Sequence, residues 1–438
     1  MHDLAYASSN DSATQESSIW KRASTFLILA ALIYFAMNGL SPFVNQNSYL
    51  RFSNTSPDSS VVARLLAWPI YLICALAIFK YRTAVISHFV RLKSLAILPF
   101  LAIASSCWSQ EPLFSLKQGT LLLGATLFAV YFAVHFTSRE QMQLLMSCGA
   151  VTATATVLFA LLLPQYGLDH LGGHERAWKG IFSAKNICGE TMLLFLTPGL
   201  YYRSRTGLTK MLQAAYILLL IGVVIMSQAV TSWIFLGLLL AFRFGGKLTA
   251  SFALKDVLVV LTVFFVLLAA LSIGVYENYY DILAFFGKDP TLTGRTGLWS
   301  AVLVSIQKRP NLGYGYQAFW LGLQGESASV LISIKNALSQ PQNGFLDVWL
   351  QLGLGGVVLI LFSLVAAGRD MLGSLYARRT TFVQWYVAIV GLTVLFNLVE
   401  TYLLTPRYIG WLLYLGACYG LNETASRHRQ LKNLEAHA

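Results

Sequence analysis

Long apolar runs, each closed by a short cluster of charge, follow one another along almost the whole of this 438-residue chain. A helix rises about 1.5 Å per residue, so a stretch of about 20 apolar residues crosses a bilayer. By that measure the pattern predicts an all-α polytopic membrane protein with about twelve transmembrane helices; the runs at 118–136, 144–163, 211–226 and 346–367 are among the clearest. Those at 94–108 and 232–242 are short for a crossing, and are expected to be extended, tilted or broken where they line a cavity. One interruption is far longer than the rest, from 277 to 345. Within it "GLWSAVLVSIQK" puts Leu298, Trp299, Val302, Leu303 and Ile306 on one helical face, and "SASVLISIKNAL" repeats the pattern. Between them lies "NLGYGYQAFW". The expectation is a large outer loop holding two short amphipathic helices at the membrane surface, joined by an aromatic turn. The chain then divides into a disordered cytoplasmic tail (1–20), a bundle of about nine spans (21–276), the loop (277–345), about three further spans (346–421) and a second cytoplasmic tail (422–438).

Composition changes this picture little. Hydrophobic residues make up 56% and charged residues 11% of the chain, against about 25% charged in a soluble protein. The net charge of +12 raises the question of nucleic acid, but no basic face with interleaved aromatics exists, and most lysines and arginines fall at span ends. That is the positive-inside pattern, and it places both chain ends in the cytoplasm. The outer loops nevertheless keep an unusual share of positive charge. The five cysteines show no CxxC spacing and read as small packing residues, with no metal site or disulfide expected. No phosphate-cradling loop, zinc motif or nucleophile elbow occurs, and no cytoplasmic segment is large enough to bind ATP. A reaction here needs a substrate that is already activated.

Three clusters carry candidate chemistry. Arg295, in "TLTGRTGLW", sits between Gly294 and a helix start. Free N–H groups at a helix N-terminus and a planar guanidinium both suit phosphate oxygens; a loop arginine pairing with Asp289 or a lipid headgroup is the plainer alternative. "GGHERAWKGIFSAKNICGE" supplies Arg176, Lys179, Lys185 and Asn186 on the same side, able to clamp a diphosphate from the other direction. For Lys179 alone, snorkelling toward headgroups suffices as an explanation. Gln342, Asn343 and Asp347 lie where "SQPQNGFLDVWLQLGLGG" re-enters the membrane, and Glu326 offers another carboxylate within the loop. Tyr314, Tyr316 and Trp320 are candidate sugar-stacking faces, with Asn343 beside them.

These motifs, taken in order as "GIFSAKNICGETM", "MSQAVTSW", "LTGRTGLW", "RPNLGYGYQAFW" and "QNGFLDVWLQLGLGG", resemble the O-antigen ligase/polymerase superfamily, most of all its exopolysaccharide polymerases of the succinoglycan type. The resemblance covers roughly residues 105–370. It implies a multi-pass glycosyltransferase of the bacterial inner membrane, working at the periplasmic face without metal or other cofactor. Its partners would be an undecaprenyl-diphosphate-linked oligosaccharide donor, a glycan acceptor, membrane lipids, and polysaccharide-export and chain-length proteins. Arg295 matches the family arginine of a Gly-Arg-x-x-x-Trp motif that holds the diphosphate. Lys185 and Asn186 match the end of a His-Lys-Asn motif, and Gln342-Asn343-Gly344 matches a His-Asn-Gly motif. This chain departs from the pattern at Ala184 and Gln342, where the family has histidine, and its large loop contains no histidine. Glutamine accepts no proton at neutral pH. Either Glu326 or Asp347 takes the base role, or positioning and phosphate stabilisation carry the reaction, or the chain is a specialised or inactive relative. A ligase moving a finished glycan to another acceptor and a solute or anion transporter are the rival readings.

Overall fold

The computed structural model describes residues 25, 27–37, 71–72, 74–169, 176–248, 295–334, 340–377 and 380–437. The apolar run at 256–276, and Gly294 with Asp289, lie outside these. The principal helices among the described residues are α1 (Leu27–Ala36), α2 (Arg82–Phe89), α3 (Ser94–Ala104), α4 (Pro112–His135), α5 (Ser138–Leu162), α6 (Lys185–Tyr201), α7 (Gly207–Met226), α8 (Val230–Leu248), α9 (Arg295–Lys308), α10 (Ser327–Ile334), α11 (Gly344–Ala377), α12 (Thr381–Val399) and α13 (Ile409–His437). A two-residue hairpin, β1 (Leu168–Asp169) against β2 (Ala177–Trp178), precedes α6.

Five of these segments are long and apolar enough to cross a membrane: α4, α5, α7, α12, and α11 over Gly344–Leu375. A sixth forms if Arg82–Leu92 and Ser94–Cys107 count as one span, but these two meet at 96°. The break is at Lys93, whose φ of 52° is left-handed and stops the helix. The short run at 94–108 is therefore one arm of a bent pair, joined at Lys93 to the helix before it. Large apolar side chains on α7 (Leu208, Met211, Leu212, Leu218) and α11 (Val358, Leu361, Phe362, Val365) face outward, as lipid-facing residues do. The chain is a polytopic membrane protein.

At the centre lies α6, packed by α5, α7, α8, α12 and α13. Apolar burial gives little drive between helices in lipid, so close packing of small residues has to do the work. A Cβ on Gly189 would fall 2.4 Å from Ser232 Oγ, and one on Gly149 would fall 2.8 Å from Phe195 Cβ. Those glycines set how closely α8 and α5 approach α6. Opposite ends of the bundle differ in character. At one end Arg139 reaches Tyr202, Arg243 donates to the Leu200 carbonyl, Arg91 pairs with Glu423 at 3.0 Å, and Asp370 receives Asn422. Arg91, Arg139 and Arg243 are among the basic residues at span ends that the positive-inside pattern leads one to expect on the cytoplasmic side.

The aromatic turn and α11 are built into each other at the other end. Gly353, at φ 65°, breaks α11. The carbonyls of Leu350 and Gln351, freed there, accept Tyr314 N–H (2.9 Å) and Gly315 N–H (3.0 Å), and Leu354 N–H donates to the Pro310 carbonyl (2.9 Å). Every buried backbone group needs a partner, and the loop supplies the partners that the break removes. Leu298, Val302, Ile306, Tyr314, Phe319, Val330 and Leu350 close over this join as a small core of their own. The two amphipathic helices of the loop are therefore present as α9 and α10, packed on each other and α9 on α11.

Candidate functional site

Glu400 is where separate parts of the sequence meet. It caps the C-terminus of α12 in extended backbone, its N–H bonded to the Phe396 carbonyl at 2.8 Å. Buried Asn397, one turn earlier, accepts the N–H groups of Tyr402 (2.9 Å) and Leu403 (2.7 Å), which folds the chain back after the helix and fixes the glutamate. Glu400 Oε1 then receives Asn186 Nδ2 at 3.1 Å, from the first turn of α6, and Arg295 Nη2 at 3.4 Å, from the first residue of α9. Arg295 and Asn186, expected to share a diphosphate site, thus do come together, and they share a single carboxylate oxygen. Lys185 is half-buried beside Asn186. The Arg295 side chain keeps 17% of its surface open and that of Glu400 only 7%, so the arginine is the more accessible of the pair. Burial raises the Glu400 carboxyl's pKa, opposed by the Arg295 charge and the Asn186 hydrogen bond.

One turn along α6 from Asn186, on the same face, Glu190 is fully buried. Neither of its oxygens makes a hydrogen bond of good geometry among the described residues, and the Tyr402 hydroxyl is the donor it interacts with. The charges of Glu400 and Arg295 act on it, and the Tyr402 ring stacks on Tyr408 with centroids 4.1 Å apart. A buried carboxyl without a well-formed hydrogen bond is costly and calls for an explanation.

The other candidates fall elsewhere. Asp347 is buried in a separate network, where Gln351 Nε2 donates to its Oδ2 and Gln351 Oε1 in turn accepts Gln317 N–H at 2.8 Å. Glu326 pairs with Lys308 at 2.8 Å on the exposed surface. Lys308 ends α9 and Arg295 begins it, so the two lie about 20 Å apart along a 14-residue helix. Arg176 stands exposed just before β2, and no contact joins it to Glu400 among the described residues. Gln342 adopts φ 50°, and Asn343 Oδ1 caps α11 by accepting Phe345 N–H (3.0 Å) and Leu346 N–H (3.1 Å). A Cβ on Gly344 would lie 2.1 Å from Asn397 Oδ1. The Gln-Asn-Gly motif thus makes a tight turn into α11, against the end of α12.

The aromatic residues differ most from expectation. Tyr314 and Tyr316 offer no free face for a sugar. Both are buried, their hydroxyls donating to the Ser305 carbonyl at 2.8 Å and to the Leu404 carbonyl respectively. They fill the join between the loop and α11, which no local pattern announces. Trp320 is half-buried. Glu190 and Glu400 were not among the candidates, although an ionisable residue in or beside an apolar run is a signal in itself.

The fold is that of a polytopic membrane protein, the chain resembles the O-antigen ligase/polymerase superfamily, and residues 215–361 match the family model described as O-antigen ligase. That match includes Arg295, Gln342 and Asp347 but stops short of Glu400, and it begins after Asn186 and Glu190. Over 324 residues the chain is 27% identical to the exopolysaccharide production protein ExoQ of Rhizobium meliloti (strain 1021), covering 71% of this chain and 72% of the relative.

Proposed function

We propose that this protein is a polysaccharide polymerase that joins undecaprenyl-diphosphate-linked oligosaccharides, releasing undecaprenyl diphosphate. The observation that carries the reading is the convergence of Arg295 and Asn186, at the bundle end away from the basic cytoplasmic cluster, on one buried acid. A part-exposed guanidinium held in place by the fold is a preorganised counter-charge for a leaving diphosphate. In this reading the active face is periplasmic in the bacterial inner membrane, with both chain ends cytoplasmic. A hydroxyl of one glycan displaces the diphosphate from the anomeric carbon of another in a single inverting step. Likeness to an exopolysaccharide production protein supports polymer growth over transfer of a finished glycan.

The test is to mix the purified protein with a lipid-linked repeat unit and resolve the products by length. A ladder of longer lipid-linked glycans is expected. A folded protein that yields no ladder, yet attaches long glycans to an added lipid acceptor, would be a ligase. Because Arg295 supplies the positive charge, synthesis is expected to continue in excess EDTA; loss of product there would give that role to a metal ion. Glu326→Ala is expected to leave the rate within about twofold and stability within about 1 kcal/mol, since exposed ion pairs contribute little. A large rate loss in that variant would return Glu326 to the reacting centre.

A further inference from the structure

A glycosyl transfer of this kind needs an acceptor for the attacking hydroxyl's proton, and glutamine stands where the resemblance leads one to expect histidine. The Glu400 group offers one. Glu400 is bonded to the Arg295 guanidinium, and Glu190 lies one turn along α6 from Asn186, the second residue that holds Glu400. Among the described residues Glu400 is the one bonded to that guanidinium, while Glu190 is fully buried and interacts with the Tyr402 hydroxyl. A diphosphate that binds Arg295 competes with Glu400 for the same N–H groups, and bidentate phosphate contacts are the stronger claim on a guanidinium. Glu400 then exchanges a cation for an anion as its neighbour, which favours its protonated form. Asn186 keeps its hold on Oε1 throughout, so the released carboxylate stays in place.

Resting on the glycosyl-transfer reading above, we infer that Glu400 is the catalytic base, masked by Arg295 at rest and uncovered when the donor diphosphate takes the arginine. In the step, the acceptor hydroxyl oxygen bonds to the donor's anomeric carbon and the bond from that carbon to the diphosphate oxygen breaks. The lipid diphosphate leaves with the electron pair, held by Arg295, and the hydroxyl proton passes to a Glu400 oxygen. Glu400 gives that proton to water, and Arg295 returns to it as the lipid diphosphate departs. Donor binding and base activation are thereby one event, so the base is shielded until an anion is in place.

Glu400→Gln separates the two roles. Its side-chain oxygen still accepts from Asn186 and Arg295, but it takes no proton and bears no charge to compete with a ligand. Turnover is expected to fall about 10²–10⁴-fold, the usual range for a lost general base, while undecaprenyl diphosphate binds the variant several-fold more tightly than wild type. Unchanged turnover overturns the inference, and so does a parallel loss of turnover and lipid-diphosphate binding, which would mark a structural role. Should Glu400→Gln fail to fold, Glu400→Asp serves: slower turnover with an altered pH profile is expected, and an unaltered profile overturns the inference. An active wild type, dead on Arg295→Ala but indifferent to Glu400→Gln, leaves the polymerase reading standing without this base. A wild type that forms no glycosidic bond with any acceptor overturns both.

Discussion

Arg295→Ala is expected to lower glycan synthesis by at least about 10²–10³-fold, the effect of removing one preorganised donor from a developing negative charge. Arg295→Lys should recover little, because a point charge does not reproduce the planar fork. Stability should fall as well. The guanidinium is the partner of a carboxylate whose side chain is 7% exposed, and breaking a buried pair costs about 3–5 kcal/mol. Part of the arginine reaches solvent, so the lower end of that range is expected. The double variant Arg295→Ala/Glu400→Gln separates the effects, since it removes the stranded charge along with its partner. Its melting temperature in detergent should return toward wild type while synthesis stays lost. Full activity in the single variant would remove Arg295 from the reaction.

Gly353→Val should have the largest effect on folding. The residue sits at φ 65°, and a Cβ there would fall 2.1 Å from the Asn311 carbonyl oxygen, a backbone atom that cannot swing aside. The left-handed conformation alone costs a residue with a side chain about 1–2 kcal/mol. Relieving the clash means separating the aromatic turn from α11, which strands the Leu350 and Gln351 carbonyls and the Leu354 N–H. Little folded protein should survive extraction, and what survives should be inactive because α9 is no longer anchored. A Gly353→Val protein with normal yield and melting would show that the helix break is dispensable.

Much of the architecture was open to reading in advance, because hydropathy reports a helix's environment directly in a lipid solvent. The helices α4, α5, α7, α11 and α12 coincide with apolar runs, and the short run at 94–108 is one arm of a bent pair. The apolar face read on α9 is nearly right: Leu298, Val302 and Ile306 are buried, whereas Leu303 is 39% exposed. The site was legible only in pieces. Arg295 and Asn186 could be singled out by type and place, but the residue that joins them lies 105 positions from one and 214 from the other, and no local period carries that pairing. The aromatic turn failed for a related reason. A cluster of tyrosines between glycines suits both a sugar platform and a plug for a broken helix, and only the hydrogen bonds to Leu350 and Gln351 distinguish them.

That plug has a thermodynamic consequence for the arginine. The segment leading out of α9 is tied to α11 by Tyr314 and Gly315, to the loop before α4 by Trp108 Nε1 on the Leu312 carbonyl (2.8 Å), and to Ser105 Oγ by Tyr316 N–H (2.9 Å). A free loop of this length would lose its conformational entropy when the lipid-linked glycan arrived, subtracting from the affinity. Here the ordering happens once, as the chain folds, so that under the proposed function α9 would present its arginine to a donor without that cost.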